Sequence, residues 1–164
     1  MRSVLCDERA FADLIGEGGL YDYELGERYI VAPAASFDHG KKQVIISHVL
    51  LDHFVEVSAP ANLGVLGEPG QRWYVVPDVV VAPEDTTGGD ALLDAVIAVE
   101  IRSPREDPAM KLAAYREVMG RTGLRVGEVW YVDGATVAVH PAAGQQGTTA
   151  HPAALAAVEA ALRT

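Results

Sequence analysis

The chain has 164 residues, 49% of them hydrophobic, with a mean hydropathy of +0.12 and a formal net charge of −10. That length and apolar content fit one globular domain with a substantial core and exclude a disordered chain. The acidic balance argues against a general nucleic-acid coat but not against a nuclease, because metal-holding carboxylates count toward it and a local basic patch can coexist with it.

No apolar run approaches ~18 residues, so no membrane span is expected. Met1 to Glu8 meets acidic residues too early for a secretory leader. The lone Cys6 has no internal disulfide partner, which fits a reducing cytoplasm, and reads as a small semi-buried residue.

Residues 7–15 place Phe11, Leu14 and Ile15 on one face of a short helix, which Gly16-Glu17-Gly18-Gly19 stops. Tyr21 to Val31 reads as a hairpin turning near Gly26, and Pro33 to Ser36 as a loop. Asp38 is the expected N-cap of a helix over 39–57, in which Ile46, Val49, Leu50, His53, Phe54 and Val57 recur at helical spacing. Pro60 ends it. A strand-like piece near 63–66 and the turn Glu68-Pro69-Gly70-Gln71 lead into a strand over 72–82. Pro77, which cannot donate to a ladder, marks an edge or bulge within it. A loop over 83–93 precedes the unalternating apolar run 94–101, a strand covered on both faces. Asp107 caps a helix that opens on Pro108 and stops at Gly120. Val129 to Val132 and Thr136 to Val139 pair across Asp133-Gly134, and the alanine-rich 152–163 is helical. The order predicts a single α/β or α+β domain over 1–164, its core at about 20–140, with a central mixed sheet flanked by helices.

Three polar residues interrupt these apolar elements. Asp78 stands inside 73–81, Glu100 closes 95–101, and Lys111 falls in the first turns of its helix beside Leu112, Tyr115 and Met119. Two carboxylates and an ammonium in buried elements are costly unless compensated, and a divalent cation between the acids is a compensation that also does chemistry. Two have a plainer alternative: Asp78 as an exposed strand-end acid, Lys111 as a snorkelling surface lysine. Glu100 is harder to place, since glutamate suits neither β structure nor unpaired burial. The five histidines make no metal-spaced pair, and His53, on the apolar stripe, reads as a core histidine. The glycines at 16–19 lack the lysine of a phosphate loop, and no serine sits in a nucleophile elbow.

Tyr23-Glu24-Leu25 and Pro33 to His39, then Pro77 to Val81, Val99 to Pro104, Asp107 with Lys111 and Tyr115, and Val129 to Asp133 resemble, in order and approximate spacing, the Uma-two family of restriction-endonuclease-like proteins. The resemblance spans about residues 20 to 133. It implies a PD-(D/E)XK nuclease fold with a restriction-endonuclease-like core. It further implies Asp78 and Glu100 as metal ligands together with the Ile101 carbonyl, Lys111 as catalytic lysine, and Mg²⁺ or Mn²⁺ as cofactor. In the usual nuclease motif the lysine stands two residues after the glutamate. That position here is Arg102, which cannot act as a base near neutral pH and is left to contact a phosphate or pair with an acid. In the resembling family the lysine stands on the following helix instead, a position that Lys111 satisfies. Glu24, His39 and Tyr115 are possible accessory groups, with structural roles as strand-end acid, helix-start residue and core aromatic open beside that. The expected activity is Mg²⁺-dependent endonucleolytic hydrolysis of nucleic acid, DNA more than RNA, by a cytoplasmic homodimer. The alternative is a non-cleaving homodimeric binding module of the same fold.

Overall fold

The computed structural model describes residues 4–16, 20–32, 35–58, 65–86, 89, 91–104 and 106–164. The expected helix stop at 17–19, Pro33-Ala34, Pro60, residues 63–64 and Gly88 lie outside them. In chain order the elements are β1 (Val4–Asp7), α1 (Glu8–Gly16), β2 (Leu20–Leu25), β3 (Arg28–Ala32), α2 (Phe37–Leu51), β4 (Val57–Ser58), β5 (Val65–Glu68), β6 (Trp73–Val75), β7 (Val79–Val81), β8 (Ala91–Leu92), β9 (Asp94–Ile101), α3 (Pro108–Arg121), β10 (Arg125–Asp133), β11 (Thr136–Pro141) and α4 (Pro152–Leu162).

Among the described residues these strands form two mixed sheets, not one: a five-stranded β11-β10-β9-β7-β4 and a six-stranded β1-β3-β2-β6-β5-β8. In the first, β9 and β10 run parallel because α3 connects them, and the remaining pairs are antiparallel. The single strand expected over 72–82 is divided at Val76-Pro77-Asp78, so β6 belongs to one sheet and β7 to the other. Pro77 supplies the break, since it fixes φ and has no N–H to donate.

β9 is buried on both faces, as its unalternating composition predicts. Val99 and Ile101 look toward α2 and α4, sharing a core with Ile46 and Leu50 of α2, Ala154 and Val158 of α4 and Trp130 of β10. On the opposite face Ala98, Val80 and Val129 pack with Tyr115 and Val118 of α3 and with Tyr23 and Ile30 of the six-stranded sheet. Glu100 shares the parity of Ala98 and therefore points into that second core.

Three helix boundaries depart from expectation. The cap of α2 is Ser36, whose Oγ accepts the His39 N–H at 3.1 Å, while Asp38 lies within the first turn and pairs with Lys42 at 3.0 Å. Phe37, an apolar residue outside the core stripe, hides this start from a pattern reading. α2 also ends at Leu51, where the Asp52, His53 and Phe54 N–H groups turn back onto the Val49 and Leu50 carbonyls. Val57 and Ser58 then pair with Val81 and Val80, because a β-branched segment beside an open sheet edge gains more from the ladder than from a further turn. His53 is exposed in that turn instead of buried in the core. Asp107 caps α3 as expected, accepting the Ala109 N–H at 3.0 Å, and α3 continues past Gly120 to Arg121.

Candidate active site

The Pro77 break places Asp78 just before β7, where its N–H donates to the Val99 carbonyl at 2.9 Å. Its carboxylate is held on both oxygens. Oδ2 accepts the Ile101 N–H at 2.7 Å, and Oδ1 lies 2.8 Å from His39 Nε2. Gln43, one turn beyond His39 on α2, donates to the Asp78 carbonyl at 2.7 Å. The hydrogen bond to Asp78 raises the His39 pKa against the opposing effect of burial. The Ile101 main chain thus meets Asp78 through its N–H.

Glu100, on the adjacent strand, is fully buried. Tyr115 donates to its Oε1 at 2.7 Å, Tyr23 donates to the same oxygen, and Lys111 Nζ is 3.0 Å from Oε2. Burial, the largest effect, lifts the Glu100 pKa from 4.5 to about 7, and the nearby Asp78 charge adds to it. The Lys111 ammonium and the two phenols oppose the rise. Tyr115 is held well above its ordinary value, first by burial and then by the Glu100 charge, so its phenol stays a donor. Lys111 reaches this point because Asp107 and Pro108 begin α3 one turn earlier with the sheet beneath it. Its side chain is only 4% exposed, which excludes the snorkelling alternative. A second buried carboxylate, Glu106, lies 3.3 Å from the same ammonium, and the Tyr23 ring sits 5.6 Å from it.

The structure therefore brings Asp78, Glu100, Lys111, Tyr115 and His39 together at one end of the five-stranded sheet. Glu24 and Arg102 stand apart. Glu24 pairs with Arg72 Nε at 2.6 Å on the face of β2 away from Tyr23, and Arg102 pairs with the exposed Asp133 at 2.6 Å. Pattern reading overlooked Tyr23 and Glu106. In each case a neighbour drew attention: Glu24 as the charged residue of its strand, Asp107 as the helix cap. The available signal was alternation, which turns Tyr23 inward once Glu24 is known to face out.

Among the described residues no three His, Cys, Asp or Glu side chains converge as a ready-made metal cluster. The donor chemistry nevertheless fits a hard divalent ion, which takes one or two carboxylates and keeps several waters. Asp78 pairs with His39 and Glu106 with Lys111, and burial holds a proton on Glu100 up to about pH 7, a place that a bound cation would take. The Asp78 side chain is 18% exposed, so the pair opens to solvent on its side.

The fold is shared with a crystal structure described as a "putative nuclease belonging to DUF820" from Anabaena variabilis ATCC 29413. The TM-score is 0.55 at 17% identity, covering 87% of this chain and 90% of that one. No curated protein sequence matches the chain. Residues 9–160 match the Uma2 family, described as "Putative restriction endonuclease", a span holding both carboxylates, the lysine and the two phenols. That match takes in nearly the whole chain, and the protein belongs to the Uma2 family.

Proposed function

We propose that the chain is a Mg²⁺- or Mn²⁺-dependent endonuclease that hydrolyses phosphodiester bonds of nucleic acid, DNA in preference to RNA. The observation that carries this reading is the junction of Asp78, Glu100 and Lys111, with Lys111 Nζ 3.0 Å from Glu100 Oε2 in a buried network. Family membership and the nuclease fold support it. Asp78 and Glu100 would hold the ion, which when bound activates water and neutralises charge on the phosphate. His39 and the Ile101 N–H fix the Asp78 carboxylate, so its direction is set before ligand arrives. Tyr23 and Tyr115 orient Glu100 through Oε1, leaving Oε2 to Lys111. The Lys111 ammonium stabilises negative charge that grows on the phosphate oxygens during attack.

Calorimetric titration with Mg²⁺ or Mn²⁺, followed by plasmid nicking, tests the reading. Asp78→Ala should abolish both binding and nicking; unchanged ion affinity in that variant would refute the metal assignment.

A two-fold dimer belongs to the same proposal, since a duplex presents two antiparallel strands to cut. Its support is the outer face of α2, where the exposed Phe37, Val44 and Leu51 recur every seven residues. Such a stripe is self-complementary in antiparallel packing, with Val44 at the two-fold axis and Phe37 against Leu51 of the second copy. A non-cleaving homodimer would use the same face and differs by showing no nicking with metal at saturation.

A further inference from the structure

Lys111 is shared. Its Nζ lies 3.0 Å from Glu100 Oε2 and 3.3 Å from Glu106 Oε1, and both carboxylates are buried. Pairing with Glu100 alone does not account for a second buried carboxylate within 3.3 Å of the same ammonium. Glu106 is also held in place. Its N–H donates to the Ser103 carbonyl at 3.1 Å, and its Oε2 accepts the Tyr131 hydroxyl. Tyr131 lies directly opposite Glu100 in the β9–β10 register, so the strand that flanks Glu100 also anchors Glu106.

We infer that Glu106 is a positioning residue that receives Lys111 when Glu100 turns its charge to a divalent ion. The inference rests on the reading of Glu100 as an ion ligand. With Glu100 engaged, an ammonium that stayed on Oε2 would compete with the ion for the same oxygen. Glu106 gives it an alternative carboxylate, so a small movement changes the pairing while the ammonium stays beside the site. The near-equal distances place Lys111 between the two arrangements before any ion arrives.

The test is a calorimetric Mn²⁺ titration of the full chain as wild type, Glu106→Gln, Lys111→Ala, the double variant and Tyr131→Phe. Glu106→Gln keeps an oxygen for the Tyr131 hydroxyl but removes the charge that receives the lysine. Its Mn²⁺ affinity should fall about tenfold, the lower end for lost partners of metal ligands. In the Lys111→Ala background the same change should have little effect, because there is no ammonium to relocate. Tyr131→Phe, which keeps the Glu106 charge and only loosens it, should give a smaller loss and guards against misfolding of the glutamine variant. Equal weakening by Glu106→Gln with and without Lys111 would make Glu106 a mere nearby charge and overturn the inference. Unchanged affinity in Glu106→Gln, with wild type binding normally, would overturn it as well. A wild-type chain that binds no Mn²⁺ would overturn the metal-dependent reading and this inference together.

Discussion

Lys111 and Arg102 differ in what already holds them. Arg102 is engaged by Asp133 at the exposed end of β9, whereas Lys111 is enclosed with two carboxylates. Lys111→Ala should therefore slow single-turnover cleavage by roughly 10²-fold, as loss of a transition-state contact does, and Arg102→Ala should leave the chemical step unchanged. Cleavage abolished in Arg102→Ala but intact in Lys111→Ala would reverse the assignment. Glu100 gives a second prediction, read on the metal-free protein. With its folded pKa raised from 4.5 to about 7, the native state keeps a proton that the unfolded chain has released, so stability falls as pH rises across that interval. His39 acts in the same direction, because its raised pKa marks a protonated pair with Asp78 that is lost as pH rises further. Denaturant unfolding at pH 5 and pH 8 in chelator should show Glu100→Gln gaining about 1–3 kcal/mol relative to wild type at the higher pH. A constant difference between the two proteins would exclude Glu100 as the titrating group.

At the scale of elements, boundaries govern where side chains arrive. Ser36 caps the helix that delivers His39 and Gln43 to Asp78. Ser36→Ala should cost about 1 kcal/mol in denaturant unfolding, the usual loss for an N-cap. An unchanged midpoint would show that the cap carries no weight. The β5–β6 hairpin depends on Gly67, which has φ +128° and where an added Cβ would lie 2.4 Å from the Trp73 carbonyl oxygen. Gly67→Ala should lower the melting temperature, at a cost of about 1–3 kcal/mol. On α2, Val44→Glu should shift light scattering from dimer to monomer if the Phe37–Leu51 stripe is the contact. The apolar runs of β9 and β10 and the Asp107-Pro108 start of α3 were legible because burial and capping are local. The early end of α2 was not, since Phe54 and Val57 keep helical spacing while the edge that claims Val57 lies more than twenty residues away on β7.

For the whole molecule, the same division between local and distant information explains what the sequence could show of the site. Asp78, Glu100 and Lys111 stand out as polar residues inside apolar elements, a contrast visible along the chain. The partners Tyr23, Glu106 and Tyr131 do not, because a buried tyrosine or a glutamate beside a cap looks ordinary until long-range pairing brings it to the lysine. Nor could alternation alone tell that β6 and β7 part company at Pro77. That parting has a consequence for when the protein can act. Tyr23 arrives from one sheet, Glu100 from the other, and Asp78 sits on the hinge of chain between them. Glu100 therefore receives both phenols only when the two sheets are docked, and on the function proposed above a chain with its sheets apart would hold Glu100 by Tyr115 and Lys111 without Tyr23.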